Sequence, residues 1–368
     1  MKKTLTICIV QILLCVACFA QTPNEKTDRY LATQMRDRQI PGLQLTVMKG
    51  DRVIFFTSKG LADVAFHIPV SDSTIFSVNS AAKIFAGVGL LQLAEADKVH
   101  LDDPVGRHLN NLPPSWQGIT LRQLMGHVSG LPDVEDDRTD GLVGGHGEDS
   151  AWRLVQRLPL LAKPGETFNY NATNYLLIQK ILEKYSLMPY EAWVRQEQFL
   201  VADIRQTFFA NSDEVVDNKA PSYSYYFHDP VRGEYVKGDQ LRQLHEDFPR
   251  MMRTDAGAFS TAQELATWIK ALKSGRLLKQ PESLRTLWTP VQLNNGKTEG
   301  FGGTSTGYAL GWSVMERKVH PAVAAVGGGR AAIVVYPEDD LTVILLTNLS
   351  GCAPGEIADV IAGYYFDR

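Results

Sequence analysis

The stretch FSVNSAAKIFAG, residues 76–87, sets a serine and a lysine three apart at the head of an apolar run. By itself the spacing Ser80-x-x-Lys83 has little weight, because 18 serines and 17 lysines in 368 residues produce about one such tetrad by chance. Its surroundings say more. Asn79 is a suitable helix N-cap, and Ile84, Val88 and Leu91 line one face of the helix that follows. Gly87 and Gly89 weaken that helix unless another element packs closely on it. Ser80 and Lys83 share its first turn. Burial and the positive end of a helix favour a neutral lysine able to take a serine proton, and that helix end also stabilises a serine alkoxide. The plainer reading is a first-turn serine beside a lysine that reaches out to water.

The chain on either side supplies the scaffold. Leu43, Leu45 and Val47 alternate with Gln44 and Thr46 as in a half-buried strand, Lys49-Gly50-Asp51 turns, and VIFF (53–56) returns. Near the other end AAIVVY (331–336), the turn PEDD and LTVILLTN (341–348) form a second hairpin. It is preceded by YALGWSV (308–314), which alternates Leu310, Trp312 and Val314 as one strand. A helix over 355–366 places Ile357, Val360, Ile361 and Tyr364 on one face. An α/β (α+β) fold is therefore expected, with one antiparallel sheet built from both terminal segments and flanked by helices. Helical spacing at 80–97, 120–128, 173–185 and 261–274 predicts a mostly helical insert over 79–250, within an α/β domain formed by 21–78 and 251–368. Residues 133–149, acidic and glycine-rich, read as a surface loop too polar to pack.

Lys2 and Lys3 precede an apolar run from Leu5 to Ala20, the pattern of a secretory signal peptide cleaved after Ala20. Export to the periplasm or medium is expected; acylation of Cys18 is the weaker alternative, since Cys15 stands where an aliphatic residue is wanted. The run is too short to span a bilayer with margin, so no stable membrane insertion is expected. Beyond Cys8, Cys15 and Cys18 the chain has Cys352 alone, which excludes a disulfide framework. The eight histidines are scattered with no metal-binding spacing, so metal catalysis is not expected. A net charge of −4 without a basic cluster argues against nucleic acid as a partner. Gly296-Lys297-Thr298 fails as a phosphate loop because Val291 stands where its first glycine belongs.

FSVNSAAKIFAG, LDDPVGRHL, ITLRQLMGHVSGLP, KPGETFNYNATNYLLI, AGAFSTAQELATW and YALGW, in this order, resemble the serine β-lactamase and penicillin-binding-protein-like hydrolases, in particular the branch of class C β-lactamases and related esterases. The resemblance covers nearly all of the chain beyond the leader. It implies an active site between the α/β part and the helical insert, and a serine acyl-enzyme mechanism without metal or cofactor. Ser80 matches the nucleophile, Lys83 its lysine partner, and Tyr170 the tyrosine that carries protons between serine and leaving group. Ser80 and Gly328 match the backbone oxyanion donors. His127 falls in a last helical turn and is expected to be structural.

Two departures from the family pattern bear on substrate. Ala172 stands where an asparagine usually follows the tyrosine, and Asn171 and Asn174 should point elsewhere. In the third motif, Ala325-Val326-Gly327 replaces a cation, a variable residue and glycine. Some related esterases have an apolar residue and two glycines, which Val326-Gly327-Gly328 would match; the two alignments differ by one residue, and on a strand one residue reverses the face. In either register Val326 and Gly327 are candidate substrate-binding residues. The expected function is a serine esterase acting on a small ester, amide or peptide. The rivals are a β-lactamase or D-alanyl peptidase, and a binding protein with a weak or inactive cleft. A phosphate nest at the glycines of AAVGGGRAA (324–332) is disfavoured because no helix start follows them.

Overall fold

The computed structural model describes residues 21–136, 141–145, 147–229 and 234–367. The expected leader, residues 1–20, lies outside them. The large sheet has eight antiparallel strands. In chain order they are β1 (Gly42–Lys49), β2 (Arg52–Asp63), β3 (Ile68–Pro69), β4 (Gly307–Tyr308), β5 (Ser313–Met315), β6 (Ala322–Gly327), β7 (Ala331–Tyr336) and β8 (Leu341–Thr347). Across the sheet they run β4-β5-β6-β7-β8-β1-β2-β3. Pairing of β1 with β8, Leu45 opposite Leu345, joins the two terminal segments into one sheet, as expected.

Helices α1 (Pro23–Asp37) and α5 (Pro354–Ala362) cover one face of this sheet, with Leu31, Ile357 and Ile361 packed over Leu43, Leu45 and Leu345. Helix α4 (Ala262–Lys273) covers the other, where Leu265, Trp268 and Ile269 share a core with Ile333, Ile344 and Leu346. This double cover corrects the reading of β1 as half-buried. Gln44 and Thr46, the polar residues of its alternation, are fully buried. Gln44 is satisfied by a division of labour: its amide donates to Ser71 O at 2.7 Å and Thr74 O at 3.1 Å, and its carbonyl accepts from Ala262 N at 2.9 Å, at the head of α4.

YALGWSV is not one strand. The chain reverses inside it, β4 pairing with β5 through Gly307↔Val314 and Tyr308↔Ser313, and Gly311 at φ +88° makes the turn. In α5, Ile357 and Ile361 face the core as expected, but Val360 is 43% exposed and faces away. Described residues of the 133–149 stretch pack more than its polarity suggests. Val134 is fully buried, and the Glu148 carboxylate accepts from the N–H groups of Arg250 and Met251.

Against the α4 side of the sheet stands the apolar helix α2 (Lys83–Glu95), preceded by a single 3-10 turn over Asn79–Ala82. Its glycines are close-packing sites: a Cβ on Gly87 would lie 2.2 Å from Leu310 O, and one on Gly89 2.6 Å from the Trp193 ring. Helix α3 (Ala172–Ser186) packs beside it, Tyr175, Ile178 and Leu182 being fully buried. Residues 79–250 also contain a long hairpin, Tyr223–Asp229 paired with Glu234–Gln243.

Candidate active site

Asn79 is not the N-cap that its type suggests. It sits in the left-handed region at φ +48°, where asparagine is tolerated better than most residues. Its side chain turns onto the next residue, Oδ1 accepting from Ser80 N at 2.7 Å and from Ser80 Oγ at 3.1 Å. In the 3-10 turn that follows, residues three apart eclipse, and this brings Ser80 and Lys83 to the same side.

Lys83 has no exposure to solvent, and it does not stand alone. Nζ lies 2.6 Å from Asp255 Oδ1 and donates to Asp255 O at 3.3 Å. It also lies 4.5 Å from the centroid of the Tyr170 ring and 5.3 Å from that of Tyr175. Asp255, itself nearly buried, escaped the sequence reading. Its only signal was its place just before AGAFS, the stretch that follows it in the family pattern. Burial, and then the charge of Asp255, push the Tyr170 phenol well above its usual range; a hydrogen bond with Ser80 opposes them. Tyr170, ninety residues away in sequence, is thus brought to Ser80 and Lys83.

His127 is not in a last helical turn: the short helix ends at Met125, His127 follows it at φ +56°, and its ring lies close to this point. Its ring is 4.3 Å from that of Tyr170, 5.0 Å from Tyr175 and 4.9 Å from Tyr308. Nδ1 accepts from Asn171 N at 3.2 Å, so the proton belongs on Nε2, which is buried without a partner. Burial first and the Lys83 charge second hold the imidazole well below its usual range. The two asparagines flanking Ala172 do point elsewhere. Asn171 caps α3 and donates to Leu131 O, and Asn174 bonds Ser129 and His127.

The strand β6 resolves which residue faces Ser80. Val323 and Ala325 share the core that holds the Ser80 turn, whereas Ala322 and Ala324 belong to the core under α5. Gly327 is on the Ser80 side: a Cβ there would lie 2.0 Å from Val78 O and 2.9 Å from Ser80 N. Val326 points the other way, 3.5 Å from the Cβ position of Gly355 at the head of α5. Ladder pairing ends at Gly327↔Ala331, and Gly328 at φ +54° starts the turn, its N–H outside the ladder. Behind the turn lies Arg330, a cation passed over in the sequence. It is 1% exposed and paired with Glu246, two oxygens of which lie 2.6 and 2.7 Å from one of its nitrogens.

Ser80, Tyr170 and Tyr308 open into a cavity of about 620 Å³ that wraps the free edge of β6 beyond Ala324. Glu356, Asp359 and Val360 of α5 form its far end, and Val326 enters it there. No lysine, arginine or histidine is among the described residues that line it. Asp359 is already engaged by Arg317, at 2.9 and 3.0 Å, and by the Tyr336 hydroxyl. Among the described residues no group of three or more His, Cys, Asp or Glu side chains could hold a metal ion, and no helix is long and apolar enough to cross a membrane.

The sequence profile of the beta-lactamase family matches residues 27–362. The chain belongs to the beta-lactamase family. It is 27% identical over 322 residues to penicillin-binding protein 4* of Bacillus subtilis, a match covering 84% of this chain and 68% of that protein. It is 23% identical to protein flp of Staphylococcus aureus over 89% of this chain and 63% of that one, so it spans about two thirds of the length of these relatives. In fold it resembles an octameric penicillin-binding protein homologue from Pyrococcus abyssi, with a TM-score of 0.77, 24% identity, and 92% and 76% of the two chains covered. The D-amino acid amidase of Ochrobactrum anthropi gives 0.75 at 20% identity over 92% and 98%. EstCE1, a hydrolase with promiscuous acyltransferase activity, gives 0.73 at 22% identity over 91% and 97%. The family's members share the serine hydrolase fold with its large antiparallel sheet, the architecture described above.

Proposed function

We propose that this chain is an exported serine hydrolase that forms an acyl-enzyme on Ser80 and cleaves esters in preference to β-lactams or D-alanyl peptides. The cation-free cavity carries the preference. Ala325 occupies the site-facing position beside Ser80, and the cations behind the walls are each paired with an acid: Lys83 with Asp255, Arg330 with Glu246 and Arg317 with Asp359. A substrate carboxylate finds no counter-charge there, while an uncharged acyl chain meets Ala325, Val326 and Met315.

In this mechanism Ser80 Oγ attacks the ester carbonyl, and its proton passes to Tyr170 Oη as the phenol's own proton goes to the leaving oxygen. A phenol kept neutral by burial suits such a relay, since it must donate as well as accept. Lys83 stabilises the negative charge that builds on Tyr170 in transit, and Asp255 fixes the lysine for that task. The N–H groups of Ser80 and Gly328 receive the carbonyl oxygen. Water reverses the same steps to release the acid.

The test is a panel of short-chain aryl esters against a chromogenic cephalosporin, with Ser80→Ala as control. Ester turnover that exceeds cephalosporin turnover and disappears in Ser80→Ala is expected. Faster cephalosporin cleavage, or ester turnover surviving in Ser80→Ala, overturns the reading.

A further inference from the structure

The Ser80 N–H, one of the two donors that the proposed acyl transfer needs, is already occupied. Asn79 Oδ1 takes it at 2.7 Å and takes the Ser80 hydroxyl at 3.1 Å. The Asn79 side chain rises beside the other donor too, its Cβ being 3.2 Å from where a Cβ on Gly328 would stand. It is tethered from behind: Asn79 Nδ2 donates to Glu246 Oε1 at 3.3 Å, and Glu246 is held by buried Arg330. An amide oxygen lying against the N–H that must meet a substrate carbonyl is that carbonyl's stand-in.

We propose that Asn79 is an internal occupant of the oxyanion site, a self-mask that the substrate carbonyl must displace before Ser80 can react. The inference rests on the acyl-Ser80 reading above. In the masked state the Ser80 hydroxyl as well as its N–H donates to Asn79 Oδ1, so one displacement frees both the oxyanion donor and the nucleophile. No covalent bond changes: the amide rotates off Ser80 while Nδ2 stays within reach of Glu246. The masking amide acts before acylation, so it limits the reaction with weakly bound esters most, and ligands that bring a stronger acceptor displace it most readily.

The test compares wild type with Asn79→Gly and Asn79→Asp. Glycine accepts φ +48° without strain and removes the mask. Displacing one ordinary hydrogen bond predicts that the rate of fluorophosphonate labelling at Ser80, and kcat/KM for an aryl ester, rise about fivefold in N79G, with phenylboronic acid binding about fivefold tighter. In N79D a carboxylate keeps an acceptor on Ser80, and a stronger one, so labelling slows. A residue that merely supported the turn would slow labelling in both variants. That outcome, an unchanged rate in N79G, or a gain in both variants overturns the proposal; should N79G fail to fold, the direction of N79D decides. If the wild type labels at Ser80 but N79G gains nothing, this inference alone falls. If the wild type does not label at all, the acyl-Ser80 reading falls and takes this one with it.

Discussion

Lys83 Nζ and Asp255 Oδ1 meet at 2.6 Å where neither side chain has appreciable access to water. The lysine next to the serine is therefore one half of an ion pair, and its burial cannot be considered without its counter-ion. Removing one member of a buried pair strands the other, at a cost of about 3–5 kcal/mol. Asp255→Ala is expected to lose that much in urea unfolding, and Asp255→Asn, which keeps an acceptor, to lose less. A double variant, Lys83→Met with Asp255→Leu, should recover most of the stability and none of the activity. A loss below about 1 kcal/mol in Asp255→Ala would show that the lysine is not held by this partner.

Gly327 is expected to tolerate no side chain. A Cβ 2.0 Å from Val78 O presses on backbone, which cannot swing aside as a flexible side chain would. Gly327→Ala should push β6 away from the Ser80 turn, costing about 1–3 kcal/mol of stability and on the order of 100-fold in Ser80 labelling. Wild-type labelling in this variant would contradict the close approach.

The face assignment on β6 gives a paired prediction. Lysine at Ala325 projects to the Ser80 side, and lysine at Val326 projects toward α5. Ala325→Lys should lower KM about tenfold for an ester bearing a free carboxylate and leave an uncharged ester unchanged, as one charge-assisted hydrogen bond would. Val326→Lys should not. The reverse pattern in steady-state kinetics would exchange the two faces.

His127 gives a pH prediction. Its folded-state pKa is depressed, by burial and then by Lys83, so the unfolded chain binds a proton that the folded chain refuses. The stability linked to neutral His127 is complete above the ordinary imidazole value of about 6.5 and drains away as pH falls toward the depressed value, with a slope of up to about 1.4 kcal/mol per pH unit. In His127→Gln, urea unfolding between pH 7 and pH 5 should follow a shallower acid limb than wild type. Parallel limbs would mean that the imidazole takes up its proton in the folded protein.

Local pattern made much of the scaffold legible. The two terminal hairpins and the helical spacing of α3 follow from short-range pattern. Misreadings arose where a local rule met a tertiary demand. Gln44 looked solvent-facing because its burial depends on α4 and the 71–74 loop, both remote in sequence. YALGWSV looked continuous because alternation does not register a glycine at positive φ. Asn79 looked like a cap because its residue type suits one, yet its backbone sends the side chain onto Ser80 instead.

By itself the sequence determined the order of the parts and the chemistry available: a serine and lysine three apart, a tyrosine ninety residues on, and glycines before a β-branched strand. Those are properties of residue type and spacing, which need no partner to be read. Only the tertiary structure decided that Lys83 answers to Asp255, that Ala325 and Gly327 rather than Val326 face Ser80, and that Asn79 occupies the Ser80 N–H. Each of these depends on which distant backbone is brought within about 3 Å, and one-dimensional spacing carries no record of that.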